Sequence, residues 1–398
     1  MKFLQCYVCL RRVFAGLTRN TFLLAFASLF ADISTEMLYP ILPVFLTETL
    51  GATGSVVGIV EGTATAVQYV WQGVAGWLSD RFQRPKPIAL VGYVVAALSK
   101  PLIGLSTSWQ RVLGARALDR FATGTRSAPR DAMIAASADP EHRGKAFGLE
   151  GIGDNLGACV GPLIAIALLS WFGFDIRSIF LLAVVPGLIA AAMILLIREP
   201  SDHVAAKATL GFNLRRFPPS YWRYLAVTAV FGIGNSSNSF LILRTRDLGE
   251  SLTMTVLIYA MFNFVAAVTS YPAGYLSDHL GRKKILLASF AVFLIVYLGF
   301  SSMSNVWVIG GLFVLYGVFE AAYRAVGKAL ATDFVPAELR ASGVGWYSAT
   351  VGLSGLIASL VGGQLWTHVG PASTFLFGAA MSALGIVVAM FLVPQKSS

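Results

Sequence analysis

The feature that constrains this chain most is a repetition. Apolar stretches of about 20 residues, each able as a helix to cross a hydrocarbon core of roughly 30 Å, recur along all 398 residues. They fall at 21–45, 53–78, 87–106, 109–132, 144–171 and 177–197, then at 222–243, 252–276, 285–304, 306–331, 342–366 and 371–393. No water-soluble fold has use for so many. Charged residues make up 13% of the chain, where soluble domains carry about a quarter. Backbone groups in lipid must be bonded internally, which leaves helices or a closed barrel. None of the runs alternates with the period of two that a barrel strand needs. The expected fold class is therefore an all-α membrane protein with twelve transmembrane helices.

The formal net charge of +10 does not point to nucleic acid, because the cations sit in short connections between the apolar runs. Lys2, Arg11, Arg12 and Arg19 precede the first run, and Arg81, Arg84 and Lys86 join the second to the third. Arg143 and Lys145 follow the fourth, Lys207, Arg215 and Arg216 the sixth, and Arg282, Lys283 and Lys284 the eighth. The alternate connections lack them, apart from Arg111, Arg177, Arg244 and Arg246. By the positive-inside rule both termini face the cytoplasm across an inner membrane. The N-terminal segment is basic but has no apolar stretch ending in a small-residue cleavage site, so it reads as a lead-in helix and not a cleaved signal. Cys6 and Cys9 form a Cys-x-x-Cys pair without a second pair, and four histidines are scattered. The expectation is no disulfide, no metal and no cofactor.

The runs divide into halves that repeat. Gly76-Trp77-Leu78-Ser79-Asp80 is matched by Gly274-Tyr275-Leu276-Ser277-Asp278, 198 residues on, and Arg143 is matched by Arg340 at an offset of 197. The one long polar stretch between runs, 199–220, ends in Pro218 and Pro219 and suits a linker. The expected organisation is a six-helix bundle over 1–198, the linker over 199–220 and a second bundle over 221–398. Internal repeats of this kind, with a cavity at their interface, are a recurring plan of secondary transporters.

The segment from Gly76 to Lys86 resembles the signature loop of the major facilitator superfamily, G-x-L-x-D-R-x-G-R-K, between helices two and three. The segment from Gly274 to Lys284 resembles it again. The first copy has Gln83 where the turn glycine belongs, and the second has His279 in place of an arginine. The resemblance covers essentially the whole chain and implies two pseudo-symmetric bundles around a central cavity lined by helices one, four, seven and ten. It implies a monomer that moves a small-molecule substrate, with kinship to proton-coupled drug and metabolite antiporters. The loop's chemistry is legible by itself. Gly76 and Gly274 permit close helix approach, and Asp80 and Asp278 stand at helix ends where a carboxylate can cap a neighbour. Arg81, Arg84 and Arg282 can hold such a carboxylate, with Asp131 or Asp333 as partner. That is a breakable latch, and the plainer alternative is positive-inside charge alone.

Charges at membrane depth are costly and should face a cavity or one another. The fourth run carries Arg116, Asp119, Arg120, Arg126, Arg130 and Asp131. Arg120-Phe121-Ala122-Thr123-Gly124 resembles the family's R-x-x-Q-G motif, with Thr123 for glutamine, which implies a proton-linked role for Arg120. An internal ion pair with Asp119 or Asp154 is the alternative. Gly157, Gly161 and Pro162 resemble the helix-five G-x-x-x-G-P motif of exporting members, although the family's further glycines are replaced by Leu163, Ile164 and Ala165. Asp32 and Glu36 are four apart and share a face of the first helix; with Asp154 they are the candidate proton carriers. Glu61 falls near the outer end of helix two, where an interfacial position accounts for it. Glu320, Arg324 and Lys328 recur every four residues on the tenth run, and Asn235 to Asn238 form a polar cluster in the seventh. The expected function is proton-coupled transport of an amphiphilic, zwitterionic or anionic solute, by export through antiport. Proton-driven uptake of a metabolite, organic acid or siderophore is the alternative. No nucleophile–base pair and no Walker loop is present to suggest an enzyme or an ATP-driven pump.

Overall fold

The computed structural model describes residues 17–82, 84–138, 143–198, 217–336 and 339–393. Cys6, Cys9, Gln83, the region 139–142 and the linker residues 199–216 lie outside these, as do the side chains of Asp80, Arg143 and Arg340. The helices are numbered α1 to α12. The first six are α1 Arg19–Glu36, α2 Gly54–Phe82, α3 Pro85–Gly104, α4 Trp109–Ala136, α5 Arg143–Ser170 and α6, which runs as Ile176–Leu182 and Val184–Leu195. The second six are α7, in the pieces Pro219–Gly234 and Ser239–Asp247, α8 Leu252–Leu280, α9 Arg282–Ser302, α10 Val306–Asp333, α11 Arg340–His368 and α12 Pro371–Leu392.

Local chemistry sets the ends. Thr18 caps α1 by accepting from the Thr21 amide at 3.3 Å, and its hydroxyl donates to the Ser137 carbonyl at the end of α4. Pro85, Pro219 and Pro371 open α3, α7 and α12, where a missing N–H costs nothing. Asp175 caps α6, and bonds from the Ser178 amide and hydroxyl hold its carboxyl below the usual carboxylate range. The α8–α9 reversal turns on Gly281 at φ 96°, a conformation that costs glycine little.

Two helices depart from single continuous runs. α1 stops at Glu36, and the chain re-enters helix only over Leu42–Val44 and a π turn at Phe45–Thr49. Pro40 and Pro43 each remove a backbone donor there. α7 is unwound from Asn235 to Asn238, where serine and asparagine side chains compete for the backbone. The Ser237 amide is taken by the Ser359 hydroxyl of α11 at 3.2 Å.

The first six helices pack as one bundle, α1 on α5 and α6 and α4 between α2 and α3; the second six pack as another, α8 on α10 and α12 on α7 and α9. Their interiors differ. The second bundle is filled by aromatic rings, including Phe231 stacked on Phe290 and Phe293 on Tyr297, both at 3.9 Å between centroids. The first encloses charges. Among the described residues, nine helices are long and apolar enough to span a membrane; α1, α2 and α4 are not among them.

The bundles meet along α2 with α11 and α5 with α8. A Cβ at Gly54 would lie 2.5 Å from Trp366, and one at Gly363 would lie 2.7 Å from the Gly54 carbonyl. Ser55 donates to Thr367 at 2.9 Å, Asn263 to the Ala158 carbonyl at 3.2 Å, and Arg246 pairs with Glu48 at 2.6 Å. Apart from the Asn263 bond, which lies at mid-helix, these contacts belong to the end away from the repeated loops. Toward the loop end, Gly73 and Gly345 meet no neighbouring atom within 4 Å, and Tyr271 is 82% exposed.

Candidate substrate cavity and its charge network

A cavity of about 420 Å³ lies between the bundles. The break in α7 supplies Asn235 and Asn238, and α10 supplies Glu320, Arg324 and Lys328 on one face. Arg324 Nε donates to Glu320 Oε1 at 2.6 Å, and the Arg324 side chain is 78% exposed. The Tyr316 hydroxyl donates to Asn238 Oδ1 at 2.7 Å. From the first bundle come Tyr39, Thr65, Gln68 and Tyr69. Tyr39 stacks on Tyr259 of α8 at 5.5 Å and has the guanidinium carbons of Arg116 and Arg120 at 5.7 and 6.0 Å from its ring centre.

Of the residues singled out in the sequence, Asn235, Asn238, Glu320 and Arg324 are brought together here. Glu36 and Arg120 border this group. The Tyr259 hydroxyl donates to Glu36 Oε2 at 3.0 Å, a bond that crosses from one bundle to the other. Arg120 donates to the cavity-lining Gln68 at 3.3 Å and stands 3.9 Å from Asp119. Its internal partner is thus Asp119 and not Asp154.

Arg116 and Asp119 do not line the cavity. Arg116 is 1% exposed and grips both oxygens of Glu61, at 3.0 and 3.2 Å, while its third nitrogen reaches Asp119 at 3.1 Å. Lys100 completes the network at 3.1 Å from the other Asp119 oxygen. The expected interfacial place of Glu61 is therefore wrong: it is 3% exposed, because its face of α2 turns onto α4 and an arginine waits there. Every charge in the network has an opposite partner, as burial demands.

Asp32 lies apart from the cavity lining, with one oxygen 3.7 Å from Arg126, whose guanidinium sits 4.6 Å from the Tyr93 ring centre. Asp154 joins Arg130 at 3.6 Å, beside Glu150 at 2.8 Å. The glycines of α5 explain how α1 is held. A Cβ at Gly157 would stand 2.7 Å from the Asp32 Cβ, and one at Gly161 would stand 3.0 Å from the Glu36 Cβ. The small-residue face thus seats the two carboxylates, and Pro162 lies within α5.

The loop motifs make bridges within a bundle. Arg282 spans Asp278 at 3.6 Å and Asp333 at 3.2 Å. In the first copy Arg81 lies over Trp77, and Gly76 faces Ala128 of α4. Asp131 pairs with its neighbour Arg130 at 3.1 Å. Arg84 precedes α3 without capping it through its side chain. Gly274 meets nothing within 4 Å.

Sequence reasoning noted Tyr323 beside Glu320 and Arg324 but overlooked Lys100, Glu150 and the tyrosines Tyr39, Tyr69, Tyr316 and Tyr347. Lys100 was visible as a cation within the otherwise apolar run 87–106, where a charge is costly. The tyrosines carry no sequence signal of convergence, since those of the cavity come from the turn after α1 and from α2, α10 and α11.

The family model described as Major Facilitator Superfamily matches residues 24–245 and 224–398. A relative described as an uncharacterized MFS-type transporter, from Methanocaldococcus jannaschii, is 31% identical over 382 residues, covering 94% of this chain and 95% of its own. A probable 4-methylmuconolactone transporter from Cupriavidus pinatubonensis is 28% identical, with 93% and 90% covered. The multidrug resistance protein MdtG of Enterobacter lignolyticus is also 28% identical, with 90% and 84% covered. Among solved structures, a mutant of the nucleoside transporter NupG superposes with a TM-score of 0.79 at 15% identity, covering 94% of this chain and all of that one.

Proposed function

The chain belongs to the major facilitator superfamily, and on that premise we propose that it is a proton-coupled secondary transporter that exports a small organic solute by alternating access. It is a membrane transporter and not an enzyme. Residues 1–198 and 221–398 are the two rocking bodies, joined by 199–220, and the protein works as a monomer in the inner membrane. With both termini in the cytoplasm, the closed end is the outer one and the cavity opens inward.

The observation that carries this reading is the 420 Å³ cavity at the bundle interface, with the Glu36–Tyr259 bond beside it tying one bundle to the other. A carboxyl at a moving interface is suited to coupling. An ionised carboxylate resists being closed into a dry contact without a partner, so taking up or releasing a proton changes which state is favoured. The seating of Asp32 and Glu36 against the α5 glycines and the likeness to MdtG support export. Proton-linked uptake of an organic acid is a second reading, favoured by Lys328 in the cavity and by the likeness to the 4-methylmuconolactone transporter.

The test is flux in proteoliposomes under an imposed pH gradient. Asp32→Asn combined with Glu36→Gln is expected to abolish gradient-driven accumulation. Unchanged flux in that variant would overturn proton coupling. The sign of the gradient that drives accumulation decides between export and uptake.

A further inference from the structure

The cavity has a surplus of positive charge and walls of tyrosine, and from this we infer that its solute is a small planar organic anion, a monocarboxylate built on one or two unsaturated rings. The inference rests on the reading that this cavity is the transport site.

Charge comes first. On α10 the carboxylate of Glu320 is committed to Arg324 at 2.6 Å. Lys328, one turn on, is exposed to the cavity and has no ion-pair or hydrogen-bond partner among the described residues. Two cations four residues apart on one helix face repel each other, and an anion placed between them removes that repulsion. Widening the count leaves the surplus unchanged. Lys100, Arg116 and Arg120 are paired with Glu61 and Asp119 behind the cavity wall, and adding the bordering Glu36 gives, with Arg324, Lys328 and Glu320, five cations to four carboxylates. With Glu36 ionised, one negative charge balances the site.

Shape and surface come second. Tyr39, Tyr69, Tyr316, Tyr323 and Tyr347 line the cavity. Tyr316, Tyr323 and Tyr347 are nearly buried against other rings, whereas Tyr39 and Tyr69 are partly exposed, and it is these two that can pack against an unsaturated ring. The volume falls at the low end of the roughly 300–1,000 Å³ typical of small-molecule sites, which favours a compact solute. The Asn238 amide oxygen is engaged by Tyr316, which leaves its NH₂ as a donor for a carbonyl or hydroxyl remote from the carboxylate. Tyrosine faces also attract cations. Here the Tyr39 ring already has two guanidinium groups beside it, and an entering cation would meet Arg324 and Lys328 as well.

The experiment uses calorimetric titration of the purified full-length protein with 2-naphthoate, 2-naphthamide and 2-naphthylmethylammonium, probes with a common ring system and different charge. The acid is expected to bind at least about tenfold more tightly than the amide, with the ammonium weakest. Lys328→Gln is expected to weaken the acid about tenfold while the amide stays within about twofold, and Lys328→Arg to restore most of the loss. Tighter binding of the ammonium, an indifferent Lys328→Gln, or no binding of the acid would each overturn the assignment. Flux of the three probes in proteoliposomes separates the two levels. An ammonium that binds best and is carried defeats the substrate class but leaves transport standing. An acid that binds in the expected order but is not carried defeats transport and leaves the class standing.

Discussion

Replacing Gly58 with alanine is expected to push the two bundles apart at their closed end. A Cβ at Gly58 would run into the backbone carbonyl of Ser359 on α11 and come within 3.2 Å of the Gly363 Cα. Neither obstacle is a side chain that can swing away, so α2 and α11 must separate. Overpacking of this kind costs about 1–3 kcal/mol. The cost exists only where the two helices touch, and it vanishes in the state where they have parted. Alanine also favours the helix itself by about 0.5–1 kcal/mol, but that gain is common to both states and cancels. The equilibrium should therefore move toward the state open at this end by roughly 5- to 150-fold. Gly73→Ala is the matched control: it lies on the same helix with nothing within 4 Å. The readout is labelling of Ser359→Cys, a position 2% exposed, in a chain whose three native cysteines are replaced. A membrane-impermeant maleimide supplied to intact cells reaches it only from the closed face, at a rate proportional to the population of the open state. Acceleration with Gly58→Ala and none with Gly73→Ala is the expected pair of results. Equal rates in the two variants would refute the idea that this contact holds the closed end.

Two further substitutions probe other parts of the molecule. Arg116→Ala strands Glu61 and weakens the hold on Asp119 inside the first bundle, and should cost about 3–5 kcal/mol in detergent unfolding; Arg116→Met combined with Glu61→Gln should recover much of it. A loss below about 1 kcal/mol, the range of surface pairs, would mean the network does not hold the bundle together. Gly157→Val must displace α1 where Asp32 sits, at about 1–3 kcal/mol, and should cut pH-driven flux far more than Gly148→Val, whose surroundings are open. Similar losses from both would detach the α5 glycines from coupling.

How much of this was legible beforehand depends on what the sequence pattern encodes. Lipid imposes length and hydropathy on each crossing, so the twelve runs match the observed helices closely: the run at 252–276 appears as Leu252–Leu280 and that at 371–393 as Pro371–Leu392. The break after Glu36 was hidden because Pro40 and Pro43 sit among apolar residues and leave the hydropathy unbroken. Asn235, Asn238, Glu320 and Arg324, which share the cavity lining, could be singled out because polar groups in an apolar run stand out. Tyr39 and Tyr316 do not stand out, being half apolar themselves. Which charge meets which was also out of reach. Arg116 has candidate partners on several helices, and only the rotation of α2 about its axis selects Glu61. That rotation follows from glycine contacts on both of its faces, to α4 at Gly76 and to α11 at Gly58 and Gly62.

Those two sets of contacts also give α2 a mechanical character. It is one unbroken rod from Gly54 to Phe82, tied to the opposite bundle at Gly58 and Gly62 and to α4 of its own bundle along its length, at Glu61, Gln68 and Gly76, so it swings with its bundle. From Gly58 to Trp77 it extends about 28 Å at 1.5 Å per residue, so pivoting it by about 10° sweeps the far tip through about 5 Å. A displacement of a fraction of that size at Gly58 is thereby magnified at the mouth of the cavity.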